Sequence, residues 1–310
     1  MMCGGNPPVI RPFKNRASST EGNRSMTEAP EWIWLNGKIL PLADAKLGIE
    51  DRGFQFADGV YEVIRLYNGK PFTLAQHLQR LWNSAEGIQL TPPITPDSLA
   101  SEINRLIAKA DIADGMVYLQ LTRGVSPRNH LFPEKVQPTL LFYIRPLPPV
   151  PAPGSGEGVK LLSVPDERWK RCWIKSIALL PNVLAKNTAV AAGADEAAFI
   201  DHGTITECSA SNLFAVINNK LVTHPVGAKV LPGITRMLLL EIAADLGIEV
   251  DERAIREEEA PRADELFITS TTREISWVAR WNDIYIGPGR CGPTTIKLHQ
   301  ALKARIESEA

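Results

Sequence analysis

Cysteine is scarce in this chain: Cys3, Cys172, Cys208 and Cys291 are the four among 310 residues, far apart and without a CxxC pair. With the five histidines they form no zinc-type ladder, so neither a disulfide-stapled scaffold nor a structural zinc site is expected, and a reducing compartment fits best. An excess of one charge is lacking too. Lys plus Arg number 34 against 35 for Asp plus Glu, a net charge of -1, which argues against a nucleic-acid or anionic-membrane partner held by counter-charge. No apolar run reaches the roughly 20 residues that span a bilayer. Missing as well are the P-loop, GxGxxG, HExxH and GxSxG strings, so no motif supports a nucleotide-binding, zinc-protease or serine-hydrolase function. Small molecules or another protein are the partners expected.

Apolar residues make up 44% of the chain, enough for a large core, and 310 residues exceed what one ordinary core carries. Two domains or one large α/β unit follow. Residues 1–28 carry Arg11, Lys14, Arg16 and Arg24 among Ser, Gly, Asn and Pro, with neither helical nor strand periodicity. They are expected to be a disordered extension ahead of an alternative start at Met26. A targeting peptide is the rival, although the stretch has no apolar h-region and no clear amphipathic face.

Asn36-Gly37 and Asn68-Gly69 each separate two short apolar runs and predict hairpins. In VYEVIRLYNGKPFTL, residues 60–74, Val60, Glu62, Ile64 and Leu66 face one side of a strand and Tyr61, Val63, Arg65 and Tyr67 the other. The period then becomes helical at Leu74, Leu78, Leu81, Trp82 and Ala85, and again from Leu99 to Ala110. Strands around 117–121 and 139–145 complete an N-terminal small α/β domain over 29–147. PLPPVPAPGSGEG follows, five prolines ahead of a Gly/Ser patch; residues 148–157 are expected to be a connector. A larger C-terminal domain, 158–310, interleaves strands, hairpins and helices.

Lys175 stands in CWIKSIALL, which reads as an apolar strand that desolvates an ammonium; a neutral lysine is a nucleophile, although a lone lysine there ordinarily snorkels to the surface. A lysine forming a Schiff base with pyridoxal phosphate needs an acid for the ring nitrogen and donors for the phosphate. Glu207, in GTITECSASN, reads as an acid just after a strand and turn. Ile234 and Thr235 open a helix after Leu231-Pro232-Gly233, where free N–H groups hold anions. Ser270, Thr271 and Thr272 form a hydroxyl run ending the strand ELFITST.

Together, IEDRGFQFADGVYEVIRLYNG, VYLQLTRGVSPRNHLFP, RCWIKSIALLPNVLAK, ITECSASNLFAV, LPGITRMLLLEIA and ELFITSTTREI resemble the class IV (fold type IV) pyridoxal-phosphate aminotransferases. The resemblance covers about residues 31 to 305 in one order. It implies a two-domain α+β fold of the D-amino acid aminotransferase type, and pyridoxal 5'-phosphate as cofactor. It makes Lys175 the aldimine lysine and Glu207 the partner of the ring nitrogen. It also makes Arg80, in HLQRL, a phosphate ligand together with Ile234, Thr235 and Thr271. Leu231 would brace the ring, and Ser211 and Asn212 belong to the implied cofactor shell. Arg128 and His130, in SPRNH, resemble the carboxylate-binding pair of D-amino acid aminotransferases, with Tyr61, Val63 and Thr272 completing the substrate site. In the family that loop comes from the neighbouring subunit, which implies a homodimer. The expected activity is ping-pong transamination of a D-amino acid in the cytoplasm. The alternatives are a branched-chain L-amino acid or (R)-amine transaminase, an aminodeoxychorismate lyase, and a non-catalytic cofactor carrier. Ala210 and Trp173 depart from the pattern, and both are expected to touch the pocket.

Overall fold

A computed structural model describes residues 30–309 of the chain; the extension expected over residues 1–28 lies outside the described residues. Asn36 and Gly37 take the two left-handed conformations of a tight turn (φ 46° and 91°), which folds β1 (Trp32–Leu35) back onto β2 (Lys38–Pro41). A short α1 (Arg52–Phe56) follows, capped by the Asp51 carboxylate accepting from the Gly53 N–H. Asn68 and Gly69 repeat the turn between β3 (Gly59–Tyr67) and β4 (Lys70–Pro71). Then come α2 (Leu74–Gly87), α3 (Pro96–Ala110), β5 (Gly115–Thr122) and β6 (Thr139–Pro146). The six strands form one sheet in the order β2-β1-β6-β5-β3-β4. The two helices cover one face, where Leu78, Leu81, Leu99, Ile103 and Leu106 meet Ile64, Leu66, Val117 and Leu119. Strand alternation decides which residues of β3 enter this core: Val60, Glu62, Ile64 and Leu66 are all fully buried.

The second sheet begins with β7 (Val159–Pro165). It is followed by α4 (Leu180–Ala191), β8 (Glu196–Asp201), β9 (Thr204–Cys208), β10 (Asn212–Ile217) and β11 (Lys220–Thr223). After α5 (Ile234–Asp245) come β12 (Val250–Glu252), β13 (Ile255–Arg256), β14 (Glu265–Ser270), β15 (Glu274–Trp281) and β16 (Ile284–Tyr285), and α6 (Pro293–Glu309) ends the described chain. Nine strands run in the order β12-β11-β10-β14-β15-β7-β8-β9-β13, and β16 pairs with β15. Packed against α5 and α6 are the stacked rings of Phe214 and Phe267, 5.0 Å apart, with Leu238, Leu239, Leu298 and Leu302.

Tyr67 of the first sheet donates to Glu274 of the second at 2.9 Å, and Glu274 also pairs with His299 and Lys303 of α6. The connector between the sheets is tied down near both ends. Arg65 Nη2 donates to the Pro148 carbonyl and Trp277 Nε1 to that of Ser155. One local expectation is corrected. Lys175 lies in irregular backbone, because its segment makes a single bridge among the described residues, Val60 with Ser176, to the first sheet. Glu207 follows strand β8 and the turn at residues 202–203, within β9, its backbone held in the second sheet and its side chain buried.

Candidate active site

Between the two sheets opens a cavity of about 900 Å³, lined among others by Tyr61, Arg80, Lys175, Glu207, Thr235 and Thr271. Lys175 is fastened through its backbone from both sides. Its N–H donates to Ser84 Oγ of α2 at 3.1 Å, and its carbonyl accepts from the Tyr61 N–H of β3 at 3.0 Å. The half-buried side chain then carries Nζ to 4.2 Å from the centre of the Tyr61 ring.

Glu207 forms another wall. Its Oε2 accepts from the Leu231 N–H at 3.0 Å and from Asn212 Nδ2 at 3.1 Å, and its Oε1 accepts from Arg168 Nη1. Arg168 is also gripped by Asp166, through Nε at 2.9 Å and Nη2 at 2.7 Å, and its guanidinium lies 4.3 Å over the Phe199 ring. Burial is the largest influence on the Glu207 carboxyl and prevails over Arg168, the Leu231 N–H and Lys175, which all act to lower it, so the carboxyl is pushed up to about 7. Sequence reading missed Arg168 and Asp166; the only signal was an acid and a base in PDER, shortly before the lysine.

At the anion-binding end, α5 begins at Gly233 with no side-chain cap. A Cβ on Gly233 would stand 2.0 Å from Asn212 Oδ1, so only glycine permits the approach that lets Asn212 bond both Glu207 and the Leu231 carbonyl. Arg80 arrives from α2 with its guanidinium fixed: Nε and Nη2 donate to the two oxygens of Glu62 at 2.7 and 2.9 Å, and Nη1 donates to the Pro232 carbonyl at 3.0 Å. His77 Nδ1 lies 2.8 Å from Glu62. Burial acts to raise the Glu62 carboxyl, but Arg80 and His77 together hold it well below the ordinary carboxylate range. Sequence reading placed Glu62 on one strand face with Val60, Ile64 and Leu66, without seeing what it would neutralise. Opposite, Glu196 accepts from the Ala210 N–H, Ser211 Oγ and Arg273 Nη1. Neither Glu196 nor Arg273 had been singled out.

The cavity thus gathers Lys175, Glu207, Arg80, Leu231, Ile234, Thr235, Thr271, Ser211, Asn212, Tyr61 and Thr272, and Ala210 as well. Val63 lies outside it, in a neighbouring cavity. Trp173 does not touch it either, contrary to expectation. It packs against the first core, where its ring would crowd a Cβ on Gly87. Arg128 and His130 also lie outside this chain's cavity. Arg128 is exposed, donates to the Gln55 carbonyl at 3.3 Å and stacks over Phe56, whose ring is 5.4 Å from that of His130. Arg52 steadies their loop through the carbonyls of Asn129 and Leu131.

Among the described residues no group of His, Cys, Asp and Glu could hold a metal, and no helix is long and apolar enough to cross a membrane. An amine, a buried carboxyl near neutrality and an uncapped helix start suit a ligand with a carbonyl, a protonatable ring and a phosphate.

Residues 59–281 match the amino-transferase class IV family. A D-alanine aminotransferase of Bacillus licheniformis is 40% identical over 277 residues, covering 89% of this chain and 98% of the relative. In shape, the branched-chain amino acid aminotransferase of Escherichia coli superposes with a TM-score of 0.83 at 28% identity, over 89% of this chain and 94% of that one. A T.th. branched-chain amino acid aminotransferase with pyridoxamine 5'-phosphate superposes with a TM-score of 0.82 at 27% identity, over 89% and 94% of the two chains.

Proposed function

The chain belongs to the class IV aminotransferases, and from that premise we propose that it moves the amino group of a D-amino acid such as D-alanine to a 2-oxo acid, with pyridoxal 5'-phosphate as cofactor. The observation that carries the reading is the convergence on one cavity of Lys175, Glu207 and the uncapped start of α5. The buried hydroxyls of Ser209 and Thr269, which line the same cavity and have no hydrogen-bond partner among the described residues, are further support for a polar occupant. When bound, the cofactor supplies an electron sink that makes the proton on the substrate Cα acidic.

The rest is the work of the chain's own side chains. Lys175 Nζ is the attachment point and, once displaced, the base that takes the Cα proton. Glu207, its carboxyl raised to about 7 by burial, would be the partner of the ring nitrogen. Arg80, Ile234, Thr235 and Thr271 hold the phosphate, Arg80 with its orientation set by Glu62. Leu231 would brace the ring, and Ser211 and Asn212 would complete the cofactor shell. Tyr61 and Thr272 bound the substrate space. Arg128 and His130 hold the α-carboxylate; since they lie outside this chain's own cavity, the reading requires a homodimer in which a second subunit presents its copies. Exposed apolar side chains beside that loop, Ile49, Phe54 and Leu131, support such an interface. The free thiols Cys172, Cys208 and Cys291 accord with a reducing cytoplasm.

The test starts from holoenzyme. Borohydride reduction followed by peptide mapping should place the pyridoxyl label on Lys175, and Lys175→Ala should lose turnover. With 2-oxoglutarate as acceptor, D-alanine should yield pyruvate while L-leucine and (R)-1-phenylethylamine do not. Turnover of L-leucine alone would move the assignment to the branched-chain activity. Pyruvate released from aminodeoxychorismate without an amino acceptor would move it to the lyase.

A further inference from the structure

The hairpin of β14 and β15 turns through Thr271, Thr272 and Arg273, which all line the reaction cavity, and Ser270 and Glu274 close it as a pair. Glu274 has φ 54°, in the left-handed region where a side chain is strained and glycine is favoured. Among the described non-glycine residues with positive φ it alone is buried, at 2% exposed. What glycine could not supply there is the carboxylate.

Its Oε1 accepts from the Tyr67 hydroxyl at 2.9 Å and from Lys303 Nζ at 2.8 Å, and its Oε2 lies 3.0 Å from His299 Nε2. Tyr67 belongs to β3 of the first sheet, and His299 and Lys303 stand one turn apart on α6. Burial acts to raise this carboxyl, yet His299, Lys303 and Tyr67 hold it below its ordinary value, so it is ionised. Burial and Glu274 push the Tyr67 hydroxyl up, which keeps it a donor. Behind the turn is a small cavity of about 10 Å³, lined by Glu274 and Thr271 together with His77, Ile234 and Thr235, so the clasp backs onto the anion-binding end. Tyr67, Glu274, His299 and Lys303 do not line the reaction cavity themselves and reach it only through the turn.

We infer that Glu274 is a positioning residue: fixed by Tyr67 of the first sheet and by α6, its carboxylate holds the turn in the conformation that presents Thr271 to a phosphate and Thr272 to the substrate. The inference rests on the transaminase reading above and gives part of the grip on the cofactor's phosphate to residues that do not touch it.

Pyridoxal, which lacks the phosphate, separates positioning from a general loss of structure. Titrated into cofactor-free protein and followed by absorbance, pyridoxal phosphate should bind Glu274→Gly about tenfold or more weaker than the parent, while pyridoxal binds both within about twofold. Glu274→Gln, which keeps the shape and one acceptor oxygen, should recover part of the difference. Tyr67→Phe and Lys303→Met each loosen the clasp from one side, and each should weaken pyridoxal phosphate about threefold or more beyond any change for pyridoxal; they decide the matter if the glycine variant does not fold. Inorganic phosphate should raise the Tm of the cofactor-free parent more than that of any of these variants. Equal affinity of Glu274→Gly and parent for pyridoxal phosphate, or equal losses for pyridoxal phosphate and pyridoxal, overturns the inference. A parent that takes up no pyridoxal phosphate would overturn the functional reading instead, while the phosphate melts would still judge Glu274.

Discussion

Replacing Glu62 with Gln tests the electrostatics of the anion-binding end most directly. Glu62 is fully buried and accepts from Arg80 twice and lies against His77. The substitution keeps the shape and removes the charge, so the Arg80 guanidinium is left out of water without its counter-ion. Breaking a buried pair from one side costs about 3–5 kcal/mol. At about 2–4 °C for each kcal/mol in chains of roughly 150–250 residues, Tm should fall by on the order of 10 °C. Glu62→Gln/Arg80→Met removes both charges and should recover at least half of that loss, because the penalty belongs to the orphaned charge rather than to the lost bond. The pH dependence follows in sign. The folded carboxyl is held below its ordinary value of 4.5, so its contribution is fully present above about pH 4.5 and disappears only as pH falls through the lower folded value. Thermal melts of parent, single and double variants from about pH 8 down to about pH 3 would read both effects. A single variant melting within about 2 °C of the parent, or a double variant as unstable as the sum of its parts, would refute the reasoning.

Glu207 should show the opposite sign. Its folded carboxyl sits at about 7 against an ordinary 4.5, so the folded state binds the proton more tightly and this group's contribution to stability declines as pH rises through that window. In cofactor-free protein Glu207→Gln should flatten the decline, and a slope that persists in the variant would assign it to another group. Arg128→Ala, at an exposed position, should leave cofactor absorbance intact and raise the KM for D-alanine about 10–100-fold, the loss of a charge-assisted contact; an unchanged KM would remove Arg128 from the substrate site.

Much of the local architecture was legible because short-range physics decides it. The Asn-Gly pairs supplied the positive φ values their turns use, and the change from period two to helical spacing after Leu74 marks where β4 gives way to α2. The lysine segment was misread as a strand because apolar composition does not reveal whether a run finds a ladder partner or only a single bridge. Trp173 was misplaced for a related reason. Its neighbour Ile174 and the α2 residue Gly87 draw the ring into the first core, and Gly87 is far from it along the chain until α2 packs there. Val63 was rightly put on the face that carries Tyr61, yet two residues along a strand are enough to carry it out of one cavity and into the next.

By itself the amino-acid sequence determined most of the elements, which residues of β3 share a face, and, through its resemblance to a family, which lysine and which acid to examine. Only the tertiary structure decided the charge around them. Arg168 meets Glu207 across 39 residues of chain, and Arg80 meets Glu62 across 18. Whether a buried acid ends above or below its ordinary pKa depends on how the cost of burial balances against the charges and donors that packing brings within a few ångströms. Burial prevails at Glu207, whereas Arg80 and His77 prevail at Glu62, and no local pattern encodes that balance.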